Sequence, residues 1–450
     1  MESKIENPPR SGAAKTEMVL GAPRPVPERK RRGGRGWVLA FALAFYLTPN
    51  PQSPIPVLHA DRLITSGHET NATTTTEWTA TSGTFALDTA TVHSGVYSMR
   101  YNLSAQQGYV NRLITTQTSG TLYTRFFARW TTLPSSATPS LLENSGSGGT
   151  TLSVKVIGGG SPVLRLGNGT TGTTALMTTV LSTSVWYRIE VSHVLLDAGG
   201  SMELRLYSDM GAIPLETVSI TGEDTLRTNV TQFYFGSLGG NSTQDFYMDD
   251  IVLNTSAGVA PFNTWAGGTK FALLKPTSNS SVTWTRAGAN CSGTTNADCV
   301  DDEPGTPDDA SGYATSSTAN NEDRLNVASL PSEIPSDADM ISLTVYDRWD
   351  GNGTTGTRQG RHLIWDEAGA QTNGPTHTRC DVTAGSWSIA TPSQITVLDL
   401  GTRSKANVGS FDLGYEPLNT AECRVTAIWG NVEWKPAPSA SPRRRRPVVW

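Results

Sequence analysis

The sequence is poor in charge, since Asp, Glu, Lys and Arg make up 17% of its 450 residues against about 25% in ordinary globular proteins. It contains four cysteines, none of them in a Cys-x-x-Cys pair. There is no phosphate-binding loop and no Gly-x-Ser-x-Gly elbow in a strand–turn–helix setting. These absences argue against a zinc domain, a P-loop nucleotide-binding protein and an α/β-hydrolase.

Helix-forming residues are also scarce, and beyond the N-terminus no stretch keeps a period of 3.6 residues. What is abundant instead is glycine (44), proline (26) and an even spread of aromatic residues, with 12 Trp, 12 Tyr and 11 Phe. Aromatic and β-branched side chains favour half-buried strands, while Gly, Asn and Pro favour turns. The composition predicts an all-β protein.

Residues 61–256 show strands with period-2 alternation, separated by Gly, Asn, Ser and Thr turns. In residues 121–130, for example, Leu122, Phe126 and Trp130 share one face with Thr124 and Ala128. Similar strands are predicted at 93–101, 151–157, 186–194, 202–207, 232–236 and 245–253. This spacing predicts an antiparallel β-sandwich with one polar, wetted face on each strand.

Residues 257–438 continue the β pattern, with strands predicted at 340–349, 393–400, 411–415 and 423–434. We therefore predict two consecutive β-sandwich domains, 61–256 and 257–438, followed by a basic, disordered tail at 439–450.

The N-terminal residues 1–60 combine a basic stretch at 28–35 with an apolar run at 37–47. The run is shorter than the ~20 residues that a membrane-spanning helix needs, but it fits the core of a secretory signal with cleavage after Ala60. Two alternatives are a true start at Met18 and a wrongly assigned upstream extension.

Charge is unevenly distributed along the chain. Residues 1–36 hold nine Lys and Arg against four Asp and Glu, and four arginines stand at 443–446, although the net charge is −5. The body between these ends is therefore acidic, so nucleic-acid binding through the body is not expected.

The four cysteines, Cys291, Cys299, Cys380 and Cys423, all lie in the C-terminal third. In an exported protein an even number of cysteines suggests disulfides. Cys291 with Cys299 would close a short loop, and Cys380 with Cys423 would join two strands, but four cysteines allow three pairings.

The strands at 123–130, 186–191, 202–206 and 245–253, the last ending Asp-Asp-Ile-Val-Leu, resemble the concanavalin A-like, laminin-G-like jelly roll. This resemblance implies the fold of residues 61–256 and leaves the function open, because the fold serves lectins, lyases, hydrolases and structural modules.

A second resemblance extends over residues 61–434. It is carried by the junction at 254–276, by Trp284-Thr285 and by the segments 300–304 and 312–317. These resemble a two-domain architecture of tailed-phage structural proteins. The chain departs from that pattern in its signal-like leader and its cysteines.

Catalytic residues are not expected. The Glu-x-Asp-x-x-Glu string of concanavalin A-like glycosidases is missing, and the acid pairs are adjacent, so on a strand they would face opposite sides. Of the six histidines, His59 lies in the predicted leader. The others, His68, His93, His193, His362 and His377, are scattered, and we interpret them as surface or strand residues. We predict a protein that is not an enzyme.

Two sets of side chains are candidates for binding. Asp249 and Asp250 are candidate ligands of a structural Ca²⁺ ion, and no other cofactor is expected; Asp347, Asp350 and Asn352 are a second candidate set, for which an Asn-Gly hairpin turn is the alternative. Candidate sugar-stacking residues are Trp78, Trp130, Trp186, Trp284, Trp349 and Trp387, although tryptophans on alternating strands are usually core residues.

The first functional hypothesis is a structural protein of a phage-like virion, in its tail or on its capsid surface, packed as a homo-oligomer or against other particle proteins. The second is an exported bacterial protein that binds cell-surface glycan. A polysaccharide-cleaving enzyme is a third.

Overall fold

The computed structural model describes residues 62–70, 77–291, 293–302, 307–351, 358–380, 387–389, 396–420 and 422–437. All of them belong to one compact unit spanning residues 54–450. The predicted leader (1–60) and the predicted basic tail (439–450) lie outside the described residues.

The first thirteen strands form one antiparallel sheet that folds over on itself, with a main path in the order β12-β11-β10-β5-β13-β6-β7-β8-β9. Their bounds are β1 Arg62–Ser66, β2 Ala80–Gly83, β3 Ala86–Asp88, β4 Ser98–Gln117, β5 Thr121–Thr132, β6 Ser140–Gly146, β7 Gly149–Ile157, β8 Val163–Asn168, β9 Thr174–Leu176, β10 Trp186–Val194, β11 Gly200–Ser208, β12 Glu216–Glu223 and β13 Val230–Thr255.

The sheet divides into two layers with the hydrophobic core between them. The open layer consists of β6, β7, β8, β9 and the first half of β13, and the junction layer consists of β5, β10, β11, β12 and the second half of β13. Strands β4 and β13 are long enough to run through both layers and pair with each other along most of their length.

The core follows from the alternation seen in the sequence. On β5 the side chains Leu122, Phe126 and Trp130 point inward and are buried, and they meet Leu142 and Val154 of the open layer. The prediction of an all-β, antiparallel fold is confirmed.

Strand β13 differs from the prediction of two separate strands at 232–236 and 245–253. It is one 26-residue strand. Within it Gly236, Gly239 and Gly240 adopt positive φ angles that L side chains disfavour. The chain bends at these glycines, the register with β4 shifts between Ser237 and Ser242, and the strand continues into the second layer.

Residues 270–435 form a 7-stranded and a 5-stranded antiparallel sheet. The bounds are β14 Lys270–Leu274, β15 Pro276–Ser281, β16 Thr285–Ala287, β17 Tyr313–Ser316, β18 Asp323–Val327, β19 Asp339–Gly351, β20 Gly360–Trp365, β21 Gln371–Asn373, β22 Ser388–Ile389, β23 Thr396–Asp399, β24 Asp412–Pro417 and β25 Cys423–Lys435. Helical structure among the described residues is limited to the turn α1 (Lys405–Val408), capped by Ser404, and two 3₁₀ turns at Ala297–Cys299 and Asp309–Ser311.

Two disulfides cross-link this second half. Cys291 is joined to Cys299, eight residues away, and Cys380 is joined to Cys423, 43 residues away. The second bridge fastens a loop to the start of β25, which runs through the middle of the 7-stranded sheet.

The outer side of the junction layer is covered by the second half of the chain, and the contact is rich in buried charge. Arg62 Nη2 of β1 lies 2.7 Å from Glu433 Oε2 of β25, and both side chains are buried. Glu433 also accepts hydrogen bonds from Ser342 Oγ (2.9 Å) and Thr269 Oγ1 (2.5 Å). A single carboxylate therefore connects both halves.

The five described histidines are buried, so their interpretation as surface residues is wrong, although His193 and His362 do lie on strands. His193 lies in the first core. Its Nδ1 is 2.9 Å from Asn144 Nδ2, and its Nε2 is 2.7 Å from the Thr225 carbonyl oxygen. This pattern fits the neutral ring with the proton on Nε2, since a second proton would face the Asn144 amide.

Burial lowers the pKa of His193 from 6.5 to about 4, against a smaller opposite effect of the Thr225 carbonyl. In the unfolded chain this histidine binds a proton below pH 6.5, whereas in the folded protein it binds one only below about pH 4. We expect His193 to remove about 2 kcal/mol of unfolding free energy between pH 7 and pH 5. In His193→Gln this part of the loss should vanish, as measured by urea unfolding at both pH values; parallel curves for the two proteins would contradict it.

Candidate functional site

Most tryptophans considered for sugar stacking belong to the cores. Trp78 and Trp130 are buried in the first half, and Trp284 and Trp349 in the second. Trp186 and Trp387 are half-buried, and the ring of Trp186 packs edge-on against His93. The structure brings none of these six rings into an exposed cluster within the described residues.

The two calcium candidates lie at a bend of β13, and there the prediction that neighbouring carboxylates face opposite sides is wrong. Asp250 has a φ of 49°, so both carboxylates turn toward the same loop. Asp249 Oδ2 accepts a hydrogen bond from the His93 backbone N–H (2.8 Å), and Asp250 Oδ1 accepts one from Ser94 Oγ (2.6 Å).

Both carboxylates are completely buried. Burial, together with the nearby carboxyls of Asp250 and Glu69, raises the pKa of Asp249 well above its usual value. Hydrogen bonds from the protein already occupy these oxygens, and among the described residues no group of three or more His, Cys, Asp or Glu side chains is arranged to hold a metal ion. The calcium site stays a prediction.

In the second candidate set, Asn352 lies outside the described residues, and Asp347 is the centre of a buried ion cluster. Burial alone would raise the pKa of the Asp347 carboxyl, but Arg379 and His362 more than offset this and hold it well below its usual range. Asp347 is therefore a structural anion with partners of its own.

The same cluster contains an arrangement that resembles a catalytic triad. His362 Nδ1 lies 3.1 Å from Asp347 Oδ2, and His362 Nε2 lies 2.5 Å from Thr396 Oγ1. All three side chains are buried, and a nucleophile requires access to its substrate. We therefore interpret the arrangement as a hydrogen-bonded core.

A groove lies where the two halves meet. We call it the junction groove; it has a volume of about 760 Å³ and is lined by Arg188, Glu190, Arg205, Tyr207, Met210, Trp265 and Lys435. Its aromatic rings are already covered, since Arg188 stacks on Tyr207 and Arg205 on Trp265, each at 3.9 Å. The contact between Arg205 and Trp265 thus fastens the segment around Trp265 to the sheet.

The outward side of the open layer carries polar side chains on several neighbouring strands. We call this set the open face: Tyr109, Asn111, Glu143, Ser145, Ser153, Lys155, Arg165, Gln232 and Tyr234. Each alternates along its strand with side chains of the core, such as Val110, Leu142, Val154, Leu164 and Phe233. The residues of the open face therefore point away from the core.

Two tyrosines mark one side of the open face. The rings of Tyr109 and Tyr234 meet edge to face with their centres 5.6 Å apart, and both are half-buried. Tyr234 is flanked across the sheet by Asn111 on β4 and Glu143 on β6. Next to it on β13, Gln232 donates a hydrogen bond to Ser145 Oγ at 2.9 Å.

Beyond Glu143 the surface of the open face is lower, because the next residues in the same cross-strand row are small. Glu143 lies opposite Ser153 on β7, which lies opposite Gly167 on β8. A Cβ atom on Gly167 would stand 2.8 Å from Ser153 Oγ. The row therefore forms a shallow trough from the tyrosines toward β8.

Sequence reasoning missed this site because it searched for tryptophans and acid pairs. The signal available in the sequence was the set of side chains on the side of each alternating strand that faces away from the core. In the strand predicted at 151–157, Leu152, Val154 and Val156 alternate with Ser153 and Lys155, so the sequence already places Ser153 and Lys155 on the side opposite the core.

The sequence matches no protein-family model and no curated protein. No helix among the described residues has the length and apolar character needed to cross a membrane.

Several solved structures show partial similarity. A tandem of two CBM22 domains from Paenibacillus barcinonensis Xyn10C is 8% identical, covers 84% of this chain and 98% of its own, and has a TM-score of 0.23. Domain 4 of the arabinanase AbnA from Geobacillus stearothermophilus, in complex with arabinotriose, is 9% identical over 46% of this chain and 97% of that chain, with a TM-score of 0.32.

The alginate lyase vAL-1 from Chlorella virus is 10% identical over 38% of this chain and 88% of that chain, with a TM-score of 0.28. The three descriptions name carbohydrate-binding or carbohydrate-cleaving proteins, and none names a tail or capsid component. Since these TM-scores are all below 0.5, function has to be inferred from the side chains of this chain itself.

Proposed function

We propose that the protein binds a glycan on the open face, outside the cytosol. The observation that carries this proposal is the half-buried pair Tyr109–Tyr234 beside amide and carboxylate side chains on rigid strands. A ring face offers an apolar platform for the C–H side of a sugar, and a tyrosine hydroxyl adds a polar end. Asn111, Gln232 and Glu143 supply the donors and acceptors that sugar hydroxyls need.

The rigid base of the site supports binding over a purely structural role. Side chains on paired strands are held in place before a ligand arrives, so less conformational entropy is lost on binding. The two disulfides favour an oxidising compartment. A virion role, the first hypothesis from the sequence, receives no comparable support from the described residues.

The proposal is of binding without cleavage. Glycosidases use two carboxyl groups, about 5–9.5 Å apart. Among the nine residues of the open face, Glu143 is the one with a carboxylate. The buried Thr396–His362–Asp347 arrangement offers no alternative site of attack, because it is closed to solvent.

Replacing Tyr234 with alanine is expected to weaken glycan binding at least tenfold, which corresponds to about 1.4 kcal/mol, because it removes the ring that forms the platform. A glycan array identifies the ligand, and isothermal titration calorimetry with that ligand measures the change. Tyr234→Phe keeps the ring and should retain most of the affinity.

Tyr313→Ala is the matched control, since Tyr313 is a half-buried tyrosine of the second half of the chain. Binding should survive this change, and the recovered glycan should keep its length. Equal losses in both alanine variants, or shortened glycan, would contradict the proposal.

A further inference from the structure

The open face carries two cations where strand pairing alone would disfavour them. Lys155 on β7 lies directly opposite Arg165 on β8, and both side chains point away from the core because Val154, Leu164 and Leu166 alternate with them. Like charges directly opposite each other on a sheet repel and destabilise the pair.

Neighbouring residues do not neutralise this pair. Lys155 faces Ser140 on its other side, and Arg165 faces Leu176. Within the part of the chain that the structure describes, neither cation makes a salt bridge or a side-chain hydrogen bond. Glu143, the carboxylate of the open face, lies diagonally from Lys155, beside Ser153.

The cations of the junction groove, in contrast, have partners within the chain. In the junction groove, Arg188 pairs with Glu190 at 3.1 Å and donates to the Gly211 carbonyl at 2.9 Å. Arg205 pairs with Glu203 at 2.5 Å and Lys435 with Asp339 at 3.5 Å. Among the described residues the junction groove thus offers no unpaired cation, whereas the open face has two.

The position of the two cations relative to the tyrosines fits one extended ligand. Adjacent strands are about 4.8 Å apart, so Lys155 and Arg165 lie two and three strands from Tyr234, roughly 10 and 14 Å across the sheet. Ser153 and Gly167, which lie next to the two cations on β7 and β8, have small side chains or none.

We propose that the open face binds an acidic glycan, with Lys155 and Arg165 holding its carboxylate or sulfate groups while the tyrosines support a sugar ring. An arginine guanidinium can bind a planar oxyanion with two parallel hydrogen bonds. The bound anion would also relieve the repulsion between the two cations. This inference rests on the proposed function, since it names the ligand class of the same site.

The test measures binding of polygalacturonate, dextran sulfate and neutral dextran by calorimetry. The wild type should bind at least one of the two acidic polymers at least tenfold more tightly than dextran, and the affinity should fall as salt rises from 50 to 500 mM. A preference for polygalacturonate assigns carboxylate as the recognised group, and a preference for dextran sulfate assigns sulfate.

The double variant Lys155→Gln/Arg165→Gln should lose at least tenfold in affinity for the acidic polymer and most of its salt dependence, while its melting temperature stays equal or rises because the repulsion is gone. Arg129→Gln is the matched control, since Arg129 is a half-buried cation on the junction layer, and it should bind like the wild type.

The possible failures are distinguishable. If Tyr234→Ala abolishes binding of a neutral glycan, and the double variant binds every polymer as the wild type does, the acidic specificity is wrong and the glycan site stands. If neither Tyr234→Ala nor the double variant changes binding of any polymer, both proposals are wrong. An equal loss in Arg129→Gln would show general attraction to polyanions and would overturn the inference.

Discussion

Replacing Glu433 with alanine is expected to lower the free energy of unfolding by about 3–5 kcal/mol, the usual loss when one partner of a buried ion pair is removed. Glu433 is buried and accepts hydrogen bonds from Arg62, Thr269 and Ser342. Without it the Arg62 guanidinium stays buried with no anion, and two hydroxyls lose their acceptor. Urea unfolding at pH 7 measures the change.

The pair Arg205–Glu203 provides the control, because both side chains are about 30% exposed. Glu203→Ala should change the free energy of unfolding by less than about 1 kcal/mol. The double variant Arg62→Met/Glu433→Leu should recover part of the loss, since apolar side chains of similar volume leave no buried charge unpaired. If Glu433→Ala and Glu203→Ala lost the same small amount, the carboxylate would not hold the two halves together.

Removing the Cys380–Cys423 bridge by changing both cysteines to alanine is expected to lower the free energy of unfolding by about 4 kcal/mol. This follows from the chain entropy that a loop of this length regains in the unfolded state. The bridge spans 43 residues and fastens the start of β25, the central strand of its sheet.

The corresponding change of Cys291 and Cys299, which are eight residues apart, should remove about 2.5 kcal/mol. Urea unfolding of both variants, and of the wild type with and without reductant, measures the order. A larger loss from the shorter bridge would show that packing around the sulfurs, and not loop length, sets the contribution.

The strands were predictable where one side of each strand meets the core. On β5 the inward positions Leu122, Phe126 and Trp130 were recognised from their alternation alone, and they are buried. The opposite side was predicted to be wetted, yet Arg125 and Phe127 are completely buried. Alternation shows that a strand has two different faces, but it does not show that another part of the chain covers the polar one.

The site was less predictable, because it depends on which strands become neighbours. Lys155 and Tyr234 are 79 positions apart in the sequence, and only the pairing of β13 with β6 and of β6 with β7 places them on one surface. The convergence of Asp249 and Asp250 depends on a positive φ at Asp250, which two adjacent acids do not reveal.

The two long strands β4 and β13 belong to both layers, and this has a mechanical consequence. In a sandwich whose layers share no strand, the two layers are held together only by side-chain contacts in the core and by loops, and they can move apart when the core opens. Here the layers are joined covalently through the backbones of β4 and β13, which pair with each other from Val230 to Met248. The backbone of these two strands therefore holds the layers together in addition to the side-chain contacts of the core.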